Sequence, residues 1–142
     1  SLVRRFWGEE EQLTFDRQFK AAELPAFVAK TKEKLVGFVS FAEDRNFMII
    51  VALGVLPKYQ NACVGRRLAR RVEAEAKRTK KRLLLVSTSN DDLPALAFYQ
   101  SLGFQMYAVK PDVIAEKHGK VLEGIGGLLV RDEIRLRKPL SA

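Results

Sequence analysis

The run FMIIVALGV (47–55) constrains the fold of this chain more than any other stretch. Nine residues without a charge do not sit on a wetted surface, so the run reads as a long buried strand. It falls well short of the roughly 18 apolar residues that a membrane span needs, as does every other apolar run in the chain. A polar turn follows it. Then Val64, Leu68, Val72 and Ala76 recur at i+4, which predicts a helix over 64–79 with its basic residues on the other faces. RLLLVST (82–88) is a second continuous apolar run of the buried-strand kind.

The other segments fit around these. PAFVAK (25–30) and KLVGFVSFA (34–42) are apolar, β-branched or aromatic, and the polar TKEK between them predicts a hairpin. EDRN (43–46) is a second turn. Asp92 is a good N-cap for a helix to about Leu102, with Pro94 in its first turn and Gly103 as its stop. FQMYAVK (104–110) reads as a strand. Residues 111–127 read as a loop with one helical turn, and LLVRDEIRLRKPL (128–140) as a closing alternating strand. At the start, Leu2–Trp7 reads as a short helix ended by Gly8, with Phe6 and Trp7 as core residues. Residues 9–23 are weakly patterned and read as loop or short helix. The order predicts one α/β domain over 1–142, built around a mixed sheet.

Its 142 residues suffice to bury a core without a disulfide or metal staple. One cysteine and one histidine exclude an internal disulfide framework and offer no dedicated metal site. No signal peptide is visible, and the cytoplasm is the default compartment. The net charge is +8 and unevenly placed: residues 58–82 hold ten Lys or Arg against two acids, while the rest of the chain is balanced. One helix and its flanks therefore carry the field. Such a field favours an anionic partner (nucleic acid, membrane or polyphosphate), although a charge run is also an ordinary solvated helix face.

The strand–turn–helix at 47–79 is a ready anion site. The first N–H groups of a helix lack internal partners, and its dipole adds partial positive charge. Successive N–H groups in a tight turn form a concave nest for phosphate oxygens. Gly65 permits close approach, and Arg66 and Arg67 can pair with phosphate.

These residues also carry a resemblance. LGVLPKYQNACVGRRL resembles the acetyl-CoA-binding signature of the GNAT-type N-acetyltransferase superfamily, Q/R-x-x-G-x-G/A between a strand and a helix. Gln60 and Gly65 match its first and last positions, and Cys63 replaces its middle glycine. STSNDDLPALAFYQSLGF (87–104) resembles the second signature, N-x-x-A-x-x-F-Y-x-x-x-G-F, through Ala95, Phe98, Tyr99, Gly103 and Phe104. Asp92 stands where asparagine is common, and Asn90 lies two residues earlier. The closing VRDEIRLRK resembles the ends of some bacterial members.

The resemblance implies a GNAT-like α/β fold: a central mixed, mostly antiparallel sheet, splayed in the middle, with flanking helices. The family's first strand precedes its first helix, and its absence here fits a chain trimmed at the N-terminus. The implied co-substrate is acetyl-CoA, and the implied reaction is direct acetyl transfer to an amine. Backbone groups of Leu53 and Val55 would bond the pantetheine amides. Gln60 and the N–H groups of Asn61, Ala62, Cys63, Val64, Gly65 and Arg66 would hold the pyrophosphate. Asn90, Asp92, Ala95 and Phe98 would complete the cofactor side, and Tyr99 would protonate the leaving thiolate. Many members carry a basic glutamate near Met48 or Ile49, but this strand has no acid. Asp132, Glu133 or an ordered water are the alternatives, unless the acceptor arrives neutral.

Each residue also has a plainer reading. Tyr99 serves equally as a core tyrosine, Asp92 as a helix N-cap, and Asp132 and Glu133 as surface or ion-pair groups. His118 reads as a solvated loop residue. Cys63 has no nearby histidine to depress its pKa, so it reads as a small packed turn residue in a working cradle rather than a nucleophile. A negative φ there leaves the cradle intact; a positive φ costs on the order of 1 kcal/mol or more. Two other functions compete with the transferase. One is a domain that binds acyl-CoA without catalysis. The other is a nucleic-acid-binding domain, which rests on charge alone. The acceptor amine and the oligomeric state, a homodimer included, are left open.

Overall fold

A computed structural model of the chain describes residues 11–15, 17–20, 23–60 and 62–141. The expected helix at Leu2–Trp7, with Phe6 and Trp7, lies outside the described residues. The chain divides into two compact units, Ser1–Leu84 with Pro139–Ala142, and Leu85–Lys138.

In the first unit, β1 (Glu11–Thr14) and β2 (Arg17–Lys20) form an antiparallel ribbon, and Phe15 turns between them with φ 53. The reading of 9–23 as loop or short helix is corrected here. A two-stranded ribbon is held by backbone pairing and needs no long apolar period, so pattern reading passes over it. β3 (Ala26–Thr31), β4 (Lys34–Glu43) and β5 (Phe47–Val55) form an antiparallel meander in sequence order. The predicted hairpin turn lies at Lys32 and Glu33, with Lys32 at φ 55.

The apolar run at 47–55 is buried as its composition requires, with Met48, Ile49 and Ile50 almost fully enclosed. After it comes α1 (Val64–Arg78). Its buried stripe of Leu68, Ala69, Val72 and Ala76 packs on β3, β4 and β5. Burying a Leu or Val side chain fully contributes about 1.5–3 kcal/mol, so Leu68 and Val72 anchor the helix. Gly37 lets α1 come this close. A Cβ there would meet Gly54 O at 3.0 Å and the Val64 and Leu68 methyls at 3.2 Å.

In the second unit the strands run in the order β6, β10, β7. β6 (Leu83–Ser89) starts in the first unit and finishes in this one. α2 (Leu93–Ser101) follows, ended by Leu102 and by Gly103 at φ 99, and then β7 (Gln105–Lys110). The segment read as loop over 111–127 holds more order than expected. It contains α3 (Val113–His118), β8 (Leu122–Glu123) and a 3-10 turn at Ile125–Gly127. The closing strand is also corrected. It is two strands, β9 (Leu129–Val130), paired with β8, and β10 (Glu133–Pro139), paired antiparallel with β7. The break at Arg131 and Asp132 has a local cause: both N–H groups turn to the side chain of Asn90, each at 2.9 Å.

The architecture is thus mixed α/β, with mostly antiparallel strands and flanking helices, as expected. Among the described residues no helix is long and apolar enough to cross a membrane.

Candidate functional site

In the first unit the site grows from the end of β5. Leu56 N–H donates to Val36 O at 2.9 Å, which makes 36 and 56 a hydrogen-bonded pair of the antiparallel ladder. Such pairs alternate, so 38 and 54 bond each other across the strands. The N–H and C=O groups of Leu53 and Val55 therefore point away from β4. Leu53 is partly exposed and Val55 sits at the edge of the core.

The turn after β5 is tied internally. Pro57–Tyr59 forms a 3-10 turn, and the Gln60 side-chain amide donates back to Val55 O at 3.2 Å. Gln60 thus fixes the exit of the strand. Ala62 N–H donates to Tyr59 O at 3.2 Å, so this member of the proposed N–H cradle is already engaged. Asn61 lies outside the described residues.

Cys63 is the N-cap of α1 and adopts the left-handed conformation, φ 62 and ψ 17. Its thiol is exposed. The expectation of a packed residue at a tolerant backbone position is corrected on both counts. The left-handed residue directly before a right-handed helical turn produces a nest of N–H groups. Val64, Gly65 and Arg66 add N–H groups with no acceptor inside the helix, since the first intrahelical bond is Arg67 N–H to Cys63 O at 3.1 Å. No side chain caps this helix start and no acid lies in its first turn, so its partial positive charge is uncompensated from within. Glycine would adopt this conformation without strain, and the cysteine side chain does not.

In the second unit, Asn90, Asp91 and Asp92 each hold a different segment. Asn90 Oδ1 accepts from Arg131 and Asp132 N–H, and its Nδ2 donates to Leu129 O at 2.8 Å. Asp91 is 5% exposed. It accepts from Ser89 Oγ at 2.5 Å and from Ile125 N–H at 3.1 Å. Gly124 lies so close to it that an added Cβ would stand 2.2 Å from Asp91 Oδ2. Asp92 caps α2, accepting from Ala95 N–H at 3.1 Å, so the Ala95 amide is engaged as well. Asp91 was not singled out from the sequence. Its signal was its place in a run of three side chains that all compete for backbone N–H groups.

Tyr99 is buried on α2, with Phe98 and Phe104 packed edge-on at ring distances of 5.1 and 5.5 Å. Burial holds its phenol well above its ordinary pKa, and the Asp92 carboxylate pushes the same way. Phe98 is half-buried beside it.

The candidate bases are both engaged. Glu133 is 1% exposed and accepts from Arg135 Nε at 2.7 Å. Asp132 Oδ1 accepts from Asp112 N–H at 2.8 Å. His118 closes the last turn of α3 and is half-buried, not a solvated loop residue. Among the described residues no cluster of His, Cys, Asp and Glu has the makings of a metal site.

Comparison with known proteins fits this geometry. The family model described as "Acetyltransferase (GNAT) family" matches residues 2–104. An uncharacterized protein of Bacillus subtilis, YdhI, is 30% identical over 96% of this chain and 88% of its own length. The L-amino acid N-acyltransferase MnaT of Escherichia coli is 28% identical over 72% of this chain, a match spanning 62% of that enzyme's length. A GNAT family acetyltransferase from Elizabethkingia anophelis, solved with acetyl-CoA bound, superposes with a TM-score of 0.76 at 23% identity, over 81% of this chain and 75% of that one. With its family match covering both signatures, this chain belongs to the GNAT acetyltransferase family.

Proposed function

We propose that residues 1–142 act as one N-acetyltransferase domain that moves an acetyl group from acetyl-CoA to a primary amine. The observation that carries this reading is the nest at Cys63. A strand end whose backbone at Leu53 and Val55 faces away from β4 leads within a few residues to an uncapped helix start whose first N–H groups have no acceptor inside the helix. That is what a thioester carrier with an amide-bearing arm and a diphosphate requires. The acetyl-CoA in the Elizabethkingia anophelis structure and the N-acyl chemistry named for MnaT support the same choice.

Acetyl-CoA supplies an acetyl group already activated as a thioester. The N–H groups of Cys63, Val64, Gly65 and Arg66 hold its diphosphate, and the Arg66 guanidinium adds charge. Leu53 and Val55 orient the arm by backbone bonds. Tyr99 holds a proton at its phenol oxygen for the departing sulfur, and burial favours that protonated form. No acid sits on β5, and Asp132 and Glu133 already have partners. The amine therefore enters neutral or gives its proton to water.

The engagement of both acids also favours a second reading, in which the domain binds acyl-CoA without transferring the group. Calorimetric titration with acetyl-CoA at physiological salt, followed by thiol release with a panel of amines, tests both. The transferase reading expects one-to-one micromolar binding and amine-dependent thiol release. Binding without release leaves the second reading, and no binding removes both.

A further inference from the structure

The cradle opens into a larger hollow. Ala62 and Val64, on either side of Cys63, line a cavity of about 640 Å³ together with Tyr59 and Arg67, and its lining residues all belong to the first unit. That volume falls within the roughly 300–1,000 Å³ of small-molecule sites. The corner beside the cradle is basic. Lys34, the first residue of β4, and Lys58, in the 3-10 turn after β5, each place Nζ 6.0 Å from the centre of the Tyr59 ring.

The turn that shapes the cradle also fixes this corner. Tyr59 N–H donates to Leu56 O at 2.8 Å, and the Tyr59 carbonyl accepts from Ala62 N–H at 3.2 Å. Arg67 reaches the same cavity from the helix. Its N–H closes the first turn of α1 on Cys63 O. It stands one turn along from Val64, roughly 5 Å further down the helix axis. Lys34, Lys58 and Arg67 are all exposed, so an incoming ligand can meet them.

We propose that this corner recognises the 3′-phosphate of coenzyme A through Lys34, Lys58 and Arg67, so that the domain distinguishes acetyl-CoA from the same thioester without that phosphate. The proposal rests on the cofactor reading above and names the part of the co-substrate that this side of the site selects. A single ribose joins the diphosphate of coenzyme A to its 3′-phosphate. A ligand whose diphosphate sits on the first N–H groups of α1 therefore sets its second anion about one helical turn away. The two anions make different demands. The diphosphate is met by the backbone donors of the nest. The 3′-phosphate is a terminal monoester with a charge of about −1.5 to −2 near neutral pH and three strong acceptor oxygens. Ammonium and guanidinium groups from three separate elements match it. An uncharged ribose hydroxyl in its place would leave the three cations without that counter-charge.

The test is calorimetric titration of the 142-residue protein with acetyl-CoA and with acetyl-3′-dephospho-CoA at 150 mM salt. The proposal expects the dephospho thioester to bind at least tenfold more weakly. Lys34→Ala, Lys58→Ala and Arg67→Ala should each weaken acetyl-CoA about fivefold and leave the dephospho thioester within twofold, so that the discrimination shrinks. Arg70→Ala, exposed on α1 but outside the cavity lining, should change either affinity less than twofold. Circular dichroism confirms that each variant folds. Equal affinity of the wild type for the two thioesters would overturn the proposal and leave the cofactor reading intact. Equal losses on both thioesters in the three variants would also overturn it, since the cations would then serve the diphosphate. Discrimination lost as much in Arg70→Ala as in Lys58→Ala would reduce the effect to unplaced charge and overturn the site. Binding of neither thioester would remove the cofactor reading itself, and this proposal with it.

Discussion

At the scale of single residues, Cys63 is where sequence and backbone pull apart. A non-glycine residue in the left-handed region costs about 1–2 kcal/mol. Glycine would remove that strain but lose about 0.5–1 kcal/mol to greater freedom in the unfolded chain. Cys63→Gly should therefore stabilise by at most about 1.5 kcal/mol in urea unfolding while preserving acetyl-CoA affinity, and the β-branched Cys63→Val should destabilise. The residue type at 63 was legible from the signature. Its φ was not, because only neighbouring bonds decide which side of zero it takes. Tyr99 gives a second pair of outcomes. Loss of a general acid typically costs a hundredfold or more in kcat, so Tyr99→Phe should lose turnover on that scale and keep its affinity for acetyl-CoA. The same phenol links stability to alkaline pH. Above about pH 10 an unfolded tyrosine ionises, while burial keeps the folded one protonated. The unfolded state then binds fewer protons, so stability falls as pH rises, by about 1.4 kcal/mol per pH unit for this group. Urea midpoints from pH 9 to 11 should fall more steeply for the wild type than for Tyr99→Phe.

At the scale of elements, the long apolar runs and the i+4 stripe of α1 were readable because burial alone dictates them. The β1–β2 ribbon and the split of β9 from β10 were not. The first depends on backbone pairing, the second on one distant side chain, Asn90. Caps are the intermediate case. Asp92 was readable as an N-cap from its place before Pro94, and it does cap α2. Asp92→Ala should cost about 1 kcal/mol in unfolding free energy, with faster amide exchange confined to the first turn of α2. Gly124 was not readable, since its requirement lies in Asp91, 33 positions earlier. Gly124→Ala should displace the Asp91 carboxylate from Ile125 N–H and cost about 1–3 kcal/mol, visible as a lower Tm and as lost protection at Ile125.

At the scale of the whole molecule, the charge is the property most fully legible in the sequence. The excess of +8 is concentrated between 58 and 82, and the structure places much of it on α1. Under the proposed function this field steers a polyanionic co-substrate. Stopped-flow association with acetyl-CoA should therefore slow about tenfold between 10 and 200 mM salt, with little change in dissociation. A flat salt profile would detach the field from the cofactor. The division into two compact units was not legible, because no linker or composition shift marks Leu84 from Leu85. Surface connections usually absorb insertions and deletions with little penalty. The connection between β6 and α2 has no such slack, because Asn90, Asp91 and Asp92 each hold a different partner in strict succession. One residue gained or lost there would shift all three assignments at once, so in a library of random indels this short connection should be depleted as severely as the core strands.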